Sequence, residues 1–240
     1  MSVKMLKQIK SESVTTFLLR YWWKIATVLL LTYTCTYGFL IKTPNLPILN
    51  DSIRNLFFHV PMWFVMMFLM FISLVYSIRY LMDGKGRHDI IAENTAIIGL
   101  LMGFVGVVTG SVWAKVTWGA WWVFAEVKLN AAAAALLVYC AYFILRASFD
   151  DPEMKAKFSA VYSIFAFVMF IVLINVIPRI STSSLHPGGG GNPGFNAYDL
   201  DNNLRTVFYP AVLGWMGLGL WMSTLLCRLK FIENKLDDIA

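Results

Sequence analysis

Six long, continuously apolar runs divide the 240 residues of this chain. A helix needs about 20 apolar residues to cross the roughly 30 Å hydrocarbon core of a bilayer. Because the runs are continuous and do not alternate in short segments, we predict helices and not a β-barrel. The expected fold is an all-α integral membrane protein, a six-transmembrane-helix bundle. The runs cover residues 21–41, 57–80, 90–110, 129–147, 158–177 and 206–227.

The low charge content supports a membrane protein. Charged residues make up 14% of the chain and hydrophobic residues 58%, whereas about 25% of a soluble domain is charged. This excludes a soluble globular enzyme, a disordered regulator and a nucleic-acid-binding protein, although the formal net charge is +6. We therefore expect the lipid bilayer, and no nucleic acid, as a partner, and the excess of Lys and Arg then reports orientation.

The basic residues are distributed unevenly between the two sides of the predicted bundle. Fourteen of the 20 lie near the termini and in the connectors near 79–89 and 146–157, so the positive-inside rule places both termini in the cytoplasm. The N-terminus does not have the composition of a transit peptide, which favours a multi-pass protein of the bacterial inner membrane. The predicted parts are a cytoplasmic segment 1–20, a membrane domain 21–228, a cytoplasmic tail 229–240, and periplasmic loops of about 42–58, 111–128 and 178–205.

Tryptophans are concentrated in the middle external loop. The loop contains Trp113, Trp118, Trp121 and Trp122, and the last three have i, i+3, i+4 spacing. That spacing predicts a short amphipathic helix along the membrane surface, with three indoles on one face. An interfacial aromatic belt is one interpretation. A platform for a flat, apolar ligand is the other, because the tryptophans cluster within one loop.

Two of the three histidines fall on the same external side. His59 lies at the start of the second run, where Pro61 suits a first helical turn, and His186 lies in a glycine-rich loop. His88 lies in a charged cytoplasmic connector. Each external histidine alone is also typical of a polar cap or loop residue. Together they flank the tryptophan cluster, which favours a shared ligand.

Haem is the ligand that suits two imidazoles and an aromatic floor, because imidazole is a common axial ligand of haem iron. A zinc site is less favoured, since zinc usually takes three or four protein ligands. The three cysteines lie within the apolar runs without CxxC, CxxCH or zinc spacing. Candidate partners for the two haem propionates are the external cations Arg54, Lys115, Lys128, Arg179 and Arg205.

The segment TGSVWAKVTWGAWWVF, residues 109–124, resembles the tryptophan-rich WWD signature of the haem-handling proteins of cytochrome c biogenesis. FHVP at 58–61 and LHPG at 185–188 match the positions of the two external histidines of that family. The chain length, the six predicted spans and the cytoplasmic termini resemble the CcmC branch. The resemblance covers about residues 20 to 228.

The resemblance implies a function and a site. WWD proteins present haem at their outer surface, which implies that haem b binds here transiently. The platform would consist of Trp113, Trp118, Trp121 and Trp122, and the axial iron ligands would be His59 and His186. The role would be haem transfer and assembly, promoting covalent attachment of haem to a chaperone, and not conventional enzymatic turnover.

The same resemblance implies the partners. A CcmC-like protein passes its haem to the periplasmic haem chaperone CcmE. It cooperates with the ABC transporter subunits CcmA and CcmB and with the small membrane protein CcmD.

The sequence departs from the family pattern just after the tryptophans. The family motif continues to an Asp, whereas this chain has no Asp there, and Glu126 is the nearest acidic residue, one position late. If the family Asp orients the loop, Glu126 can replace it only after a local shift in the backbone path.

Two other functions are weighed against haem presentation. A small-molecule transporter needs ionisable groups near the middle of the membrane, but Lys24 and Glu93 lie near predicted cytoplasmic ends. The stretch 99–110 is glycine-rich, and the small-xxx-small spacing of Gly99 and Gly103 is interpreted as helix packing. A redox enzyme with haem inside the membrane needs histidines within the spans, and none lies at mid-membrane depth. For haem presentation through two neutral imidazoles, we expect haem occupancy to fall below about pH 6.

Overall fold

The fold is all-helical, as the apolar runs predict. The computed structural model describes residues 14–44, 49–181, 184–186 and 200–237; parts of the predicted external loops and the basic N-terminal residues lie outside these ranges. In chain order the elements are α1 (Val14–Leu40), a 3-10 helix (Asn50–Phe57), α2 (Val60–Asp83), α3 (Gly86–Trp118), α4 (Val127–Ala147), α5 (Pro152–Ile171), a π-helical turn (Val172–Val176), α6 (Ile177–Ile180) and α7 (Asn202–Asp237).

Five helical regions among the described residues are long and apolar enough to cross a membrane, which makes this a multi-pass membrane protein. The six-span prediction is thus matched in five spans. Helix α1 occupies the position of the first predicted span but is not among these five regions. The five regions are Asp51–Asp83, Gly86–Trp118, Val127–Ala147, Pro152–Ile180 and Asn202–Leu236.

Helices α2 and α3 form the centre of the bundle. They pack most extensively against each other, while α1 pairs with α7 on one side and α4 pairs with α5 on the other. Small residues permit the central contact, since the Cα of Gly99 lies against Met70 and that of Gly103 against Met66. The prediction that Gly99 and Gly103 serve helix packing is confirmed.

A buried cluster fills the middle of the bundle. It joins α2, α3, α4 and α5 through side chains that are at most 5% exposed, and it includes Met70, Tyr139 and Phe170. A second cluster lies under the 3-10 helix and includes Phe57 and Phe208. The first cluster lies between the residues that line the cavities at the two ends of the bundle.

The predicted surface helix over the tryptophans is not formed, and this prediction is wrong. Helix α3 continues through residues assigned to the loop and ends at Trp118, because Gly119 adopts the left-handed conformation at φ 75°. Lys115 donates a hydrogen bond from Nζ to the Gly119 carbonyl at 2.9 Å. The following residues, including Trp121 and Trp122, are irregular up to the start of α4.

Candidate functional site

A large open cavity lies at the end of the bundle where α2 and α4 begin and α3 ends. The cavity has a volume of about 230 Å³, which is room for a ligand far larger than a metal ion. Five of the six predicted site residues line it, namely His59, His186, Trp113, Trp118 and Trp122. Trp121 is not among the lining residues, and its side chain is 59% exposed.

His59 is held by the facing surface of α3. Its Nδ1 lies 2.9 Å from the carbonyl oxygen of Gly106 and 3.3 Å from the hydroxyl of Thr109. A carbonyl oxygen only accepts, so Nδ1 carries the proton and donates it to Gly106. Nε2 is then the unprotonated nitrogen, and no described residue forms a hydrogen bond to it. This tautomer leaves Nε2 able to bind a metal.

Two glycines create the space for this arrangement. A Cβ on Gly110 would lie 2.6 Å from Cε1 of His59, and a Cβ on Gly106 would lie 3.1 Å from the Trp63 ring. Trp63 in turn meets the His59 ring edge-on, with ring centres 6.4 Å apart. The position of His59 therefore depends on the absence of side chains at both glycines.

His186 lies between two of the predicted tryptophans. Its ring centre is 5.0 Å from that of Trp118, in an edge-on arrangement, and 6.2 Å from that of Trp113. The two indoles are also edge-on to each other, with centres 5.3 Å apart. The end of α3 thus provides an aromatic wall for the second histidine.

Glu126 connects this wall to the segment that carries His186. Its carboxylate is buried and accepts hydrogen bonds from the Leu185 N–H at 2.6 Å and the Ser184 hydroxyl at 3.0 Å. It also accepts from the Lys128 N–H at 3.2 Å, which caps α4. Oε1 lies 3.3 Å from Nδ1 of His186, without the alignment of a hydrogen bond.

The charges at this contact follow from burial and partners. Burial lowers the pKa of His186 to about 4, and although Glu126 opposes this effect, the positive charge of Lys128 adds to it. The pKa of Glu126 is raised by burial, but the hydrogen bonds from Leu185 and Lys128 and the nearby His186 reverse this and leave it below its ordinary value. At neutral pH the pair therefore consists of a neutral imidazole beside a carboxylate.

Among the five candidate cations, Lys128 lines the cavity. Arg54 donates to the carbonyl of Gly38 at the end of α1, and Arg179 donates to the Asn175 carbonyl in the preceding π-helical turn. Lys115 caps α3. Neither these three nor Arg205 is among the cavity-lining residues.

Several lining residues were missed by the sequence reasoning. Asn55 donates to the carbonyl of Thr109, the residue whose hydroxyl contacts His59. Trp63 and Met67 line the cavity further along α2. Asn175 lies in the π-helical turn, a distortion often found at functional sites. The polar Asn175 in an otherwise apolar run was the one available signal for this group.

The opposite end of the bundle has a second, separate polar cavity. Here Arg146 forms paired contacts of 2.7 and 2.6 Å with Asp89 and of 2.8 and 3.0 Å with Glu93. His88 also lies at this end, 3.0 Å from Asp83. No group of three or more His, Cys, Asp or Glu that could hold a metal ion occurs in the part of the chain that the structure describes.

Comparison with known proteins identifies the family. Relatives named heme exporter protein C include those of Rhodobacter capsulatus (26% identical over 211 residues, 87% of this chain and 84% of the relative), Paracoccus denitrificans (25% over 167 residues, 69% and 68%) and Escherichia coli (28% over 163 residues, 65% and 59%). Residues 5–234 match the CcmC family, described as heme exporter protein C. Because this match spans nearly the whole chain, the protein belongs to the CcmC family.

Proposed function

We propose that this chain presents haem for c-type cytochrome maturation, binding it at the outer face of the membrane and passing it to a periplasmic chaperone of the CcmE type. The observation that carries the proposal is one cavity lined by His59, His186 and three tryptophans that come from separate parts of the chain. The name of the relatives, heme exporter protein C, supports haem as the ligand.

The state of the two imidazoles supports axial ligation. His59 donates from Nδ1, which leaves the lone pair of Nε2 for the iron. His186 is neutral at physiological pH because burial lowers its pKa to about 4, and a metal binds only the neutral ring. The two rings would supply the fifth and sixth ligands of haem b.

The remaining walls suit a flat, amphipathic ligand. Trp113, Trp118 and Trp122 offer aromatic surface, while Val60, Phe64 and other apolar side chains extend the cavity into the bundle. We assign Lys128 as the partner of a haem propionate, because it is the candidate cation that lines the cavity. Trp121 would contribute to the outer surface and not to the ligand floor.

The buried middle of the bundle favours presentation at one face over passage through this chain. Met70, Tyr139 and Phe170 are fully buried. They occupy positions on α2, α4 and α5 between the residues that line the two cavities. A small-molecule transporter, the alternative function, requires a path across this layer.

The cavity lies at the end of the bundle that carries few cations, which supports a periplasmic site, cytoplasmic termini and a place in the bacterial inner membrane. In this position the bound haem faces a chaperone in the periplasm. We include CcmA, CcmB and CcmD as partners of the same assembly, on the strength of the family membership.

Absorption spectroscopy of purified protein tests the proposal. Protein from haem-replete cells is expected to show the Soret band of a six-coordinate, low-spin haem. His59→Ala and His186→Ala are each expected to shift the band or remove the haem. His88→Ala is the matched control, because His88 also has a side-chain partner, Asp83, but lies at the opposite end of the bundle.

Unchanged spectra in both cavity variants would contradict axial ligation by this pair. Wild-type protein that takes up no haem, whether from cells or by titration in detergent, would overturn the proposed function as a whole. A flux assay in liposomes addresses the alternative, since passage of solute through this chain alone would favour a transporter.

A further inference from the structure

Glu126 is a buried carboxylate whose partners come mainly from a distant segment. The residue is 1% exposed. Two of its three hydrogen-bond donors, the Leu185 N–H and the Ser184 hydroxyl, belong to residues 184–186. The Ser184 oxygen also accepts from the N–H of His186 at 3.2 Å, so the chain of hydrogen bonds reaches the histidine itself.

A helix cap alone does not account for these contacts. Capping of α4 uses one donor, the Lys128 N–H. A buried carboxylate is costly unless it is paired and hydrogen-bonded, and here the segment next to the candidate ligand supplies the other partners. The described residues of that segment form no helix or strand, so the hydrogen bonds to Glu126 contribute to its order.

We propose that Glu126 is a positioning residue for His186. Its carboxylate fixes the backbone of residues 184–186 and faces Nδ1 of the imidazole, so that Nε2 is turned toward the ligand. The inference deepens the proposed function and rests on it. It also accounts for the absence of the family Asp after the tryptophans, since a side chain placed one residue late and one methylene longer still reaches residues 184–186.

Two effects follow from this arrangement. Removal of the carboxylate should loosen residues 184–186, and groups that support a metal-bound histidine typically contribute 10–100-fold to metal affinity. The negative charge beside Nδ1 should also make the imidazole a stronger electron donor to the iron, which stabilises ferric over ferrous haem. Hydrogen bonding beyond the axial ligand is one control of haem reduction potential.

The first effect is tested on ligand-free protein. Diethyl pyrocarbonate modifies neutral, accessible imidazole, and mass spectrometry reports the rate at His186 separately from that at His59. Glu126→Ala is expected to raise the rate at His186 several-fold and to leave His59 unchanged. Glu126→Gln keeps one acceptor oxygen and replaces the other with an NH2 donor, so either the Leu185 N–H, at Oε2, or the Ser184 hydroxyl, at Oε1, loses its acceptor. The rate at His186 in this variant is expected to lie between those of wild type and Glu126→Ala.

The second effect is tested on the haem-bound protein by potentiometric titration. Glu126→Gln retains the shape of the side chain but removes the charge, so the midpoint potential is expected to rise above that of wild type. Glu126→Ala is expected to lose haem at least tenfold faster than wild type. A purely structural cap would not move the potential of the Gln variant.

The matched control is Asp151, which caps α5 through the Met154 N–H at 2.7 Å and is remote from the cavity. Asp151→Ala and Asp151→Asn are expected to leave both readouts unchanged. An unaltered modification rate at His186 in Glu126→Ala overturns the positioning role of Glu126. An unaltered midpoint potential of the haem in Glu126→Gln overturns the electrostatic effect. Absence of haem from wild type overturns the proposed function, while the ligand-free measurement still decides whether Glu126 orders the segment.

Discussion

Nδ1 of His59 lies 2.9 Å from the carbonyl oxygen of Gly106, one turn of α3 before Gly110. The contact fixes the imidazole tautomer and places the ring directly over Gly110. A backbone carbonyl is a partner that side-chain substitution does not remove. The orientation of His59 is therefore controlled mainly by the space above the two glycines.

Gly110→Ala is predicted to displace His59. The added Cβ would lie 2.6 Å from Cε1 and 3.1 Å from Nδ1 of the ring, and overpacking of this kind costs about 1–3 kcal/mol. We expect haem affinity to fall at least tenfold, measured by haem titration in detergent, with a loss of the low-spin spectrum.

Gly86→Ala is the control for this substitution. Gly86 begins α3 at the other end of the bundle, and nothing lies within 4 Å of an added Cβ there. Affinity equal to wild type in Gly110→Ala would show that His59 does not need this position to bind haem.

Trp118 and Trp121 are predicted to differ sharply although only two residues separate them. Trp118 contacts both His186 and Trp113, and aromatic pairs contribute about 0.5–1.5 kcal/mol each. Trp118→Ala should therefore weaken haem binding about tenfold. Trp121→Ala removes an exposed ring and should change affinity by less than about 0.5 kcal/mol. Equal losses in the two variants would restore Trp121 to the ligand floor.

The sequence places the candidate residues at one end of the bundle, because position relative to an apolar run determines the end at which a residue lies. His59 begins one helix, Trp113 and Trp118 end the next, and His186 follows the fifth predicted run. These positions are enough to bring the side chains together at one end. Which side chain enters the cavity depends on the local backbone. Gly119 ends α3 after Trp118, and the short surface helix predicted for Trp118, Trp121 and Trp122 does not form.

The sequence does not predict which segments distant along the chain contact each other. The distance from Glu126 to Leu185 along the chain carries no information about which loop meets which helix end, so the sequence does not predict that this carboxylate binds residues 184–186. The contacts of the His59 ring with Gly106 and Gly110 are not predictable from the sequence for a similar reason. Glycines in α3 were correctly interpreted as a packing face, but the partner of Gly110 is an imidazole and not an apolar side chain.

The pH at which haem is lost is predicted to be lower than the sequence alone suggested. Burial lowers the pKa of His186 to about 4 from the ordinary 6.5, assisted by Lys128 and opposed by Glu126. A proton competes with iron for the ring, so neutral His186 persists as the pH falls through 6 and 5 and is lost near 4. The expected result is haem retention at pH 5 and release near pH 4, followed by Soret absorbance.

The same shift affects the free energy of unfolding. Because the folded pKa of His186 lies below its unfolded value, the unfolded chain binds more protons between pH 6.5 and 4. Ligand-free protein should therefore lose stability as the pH falls through that window.

A haem-release midpoint near pH 6.5, unchanged from that of an ordinary imidazole, would contradict burial of His186 as the cause of haem retention at pH 5.

Arg146 is predicted to be essential for stability and dispensable for haem binding. Its guanidinium pairs with both Asp89 and Glu93, and its side chain is 8% exposed. Arg146→Met would leave two carboxylates unpaired, and loss of one partner from a buried ion pair costs about 3–5 kcal/mol. We expect a clearly lower thermal unfolding midpoint in detergent, with the Soret band of the folded fraction unchanged.

Two further variants separate the buried ion cluster from charge in general. Lys230→Met removes a pair with Glu233 whose side chains are both 49% exposed, and surface pairs contribute about 0–1 kcal/mol. Adding Asp89→Asn and Glu93→Gln to Arg146→Met removes the unpaired charges and should recover much of the lost stability. If the triple variant is no more stable than Arg146→Met, lost packing of the arginine stem, and not uncompensated charge, is the cause.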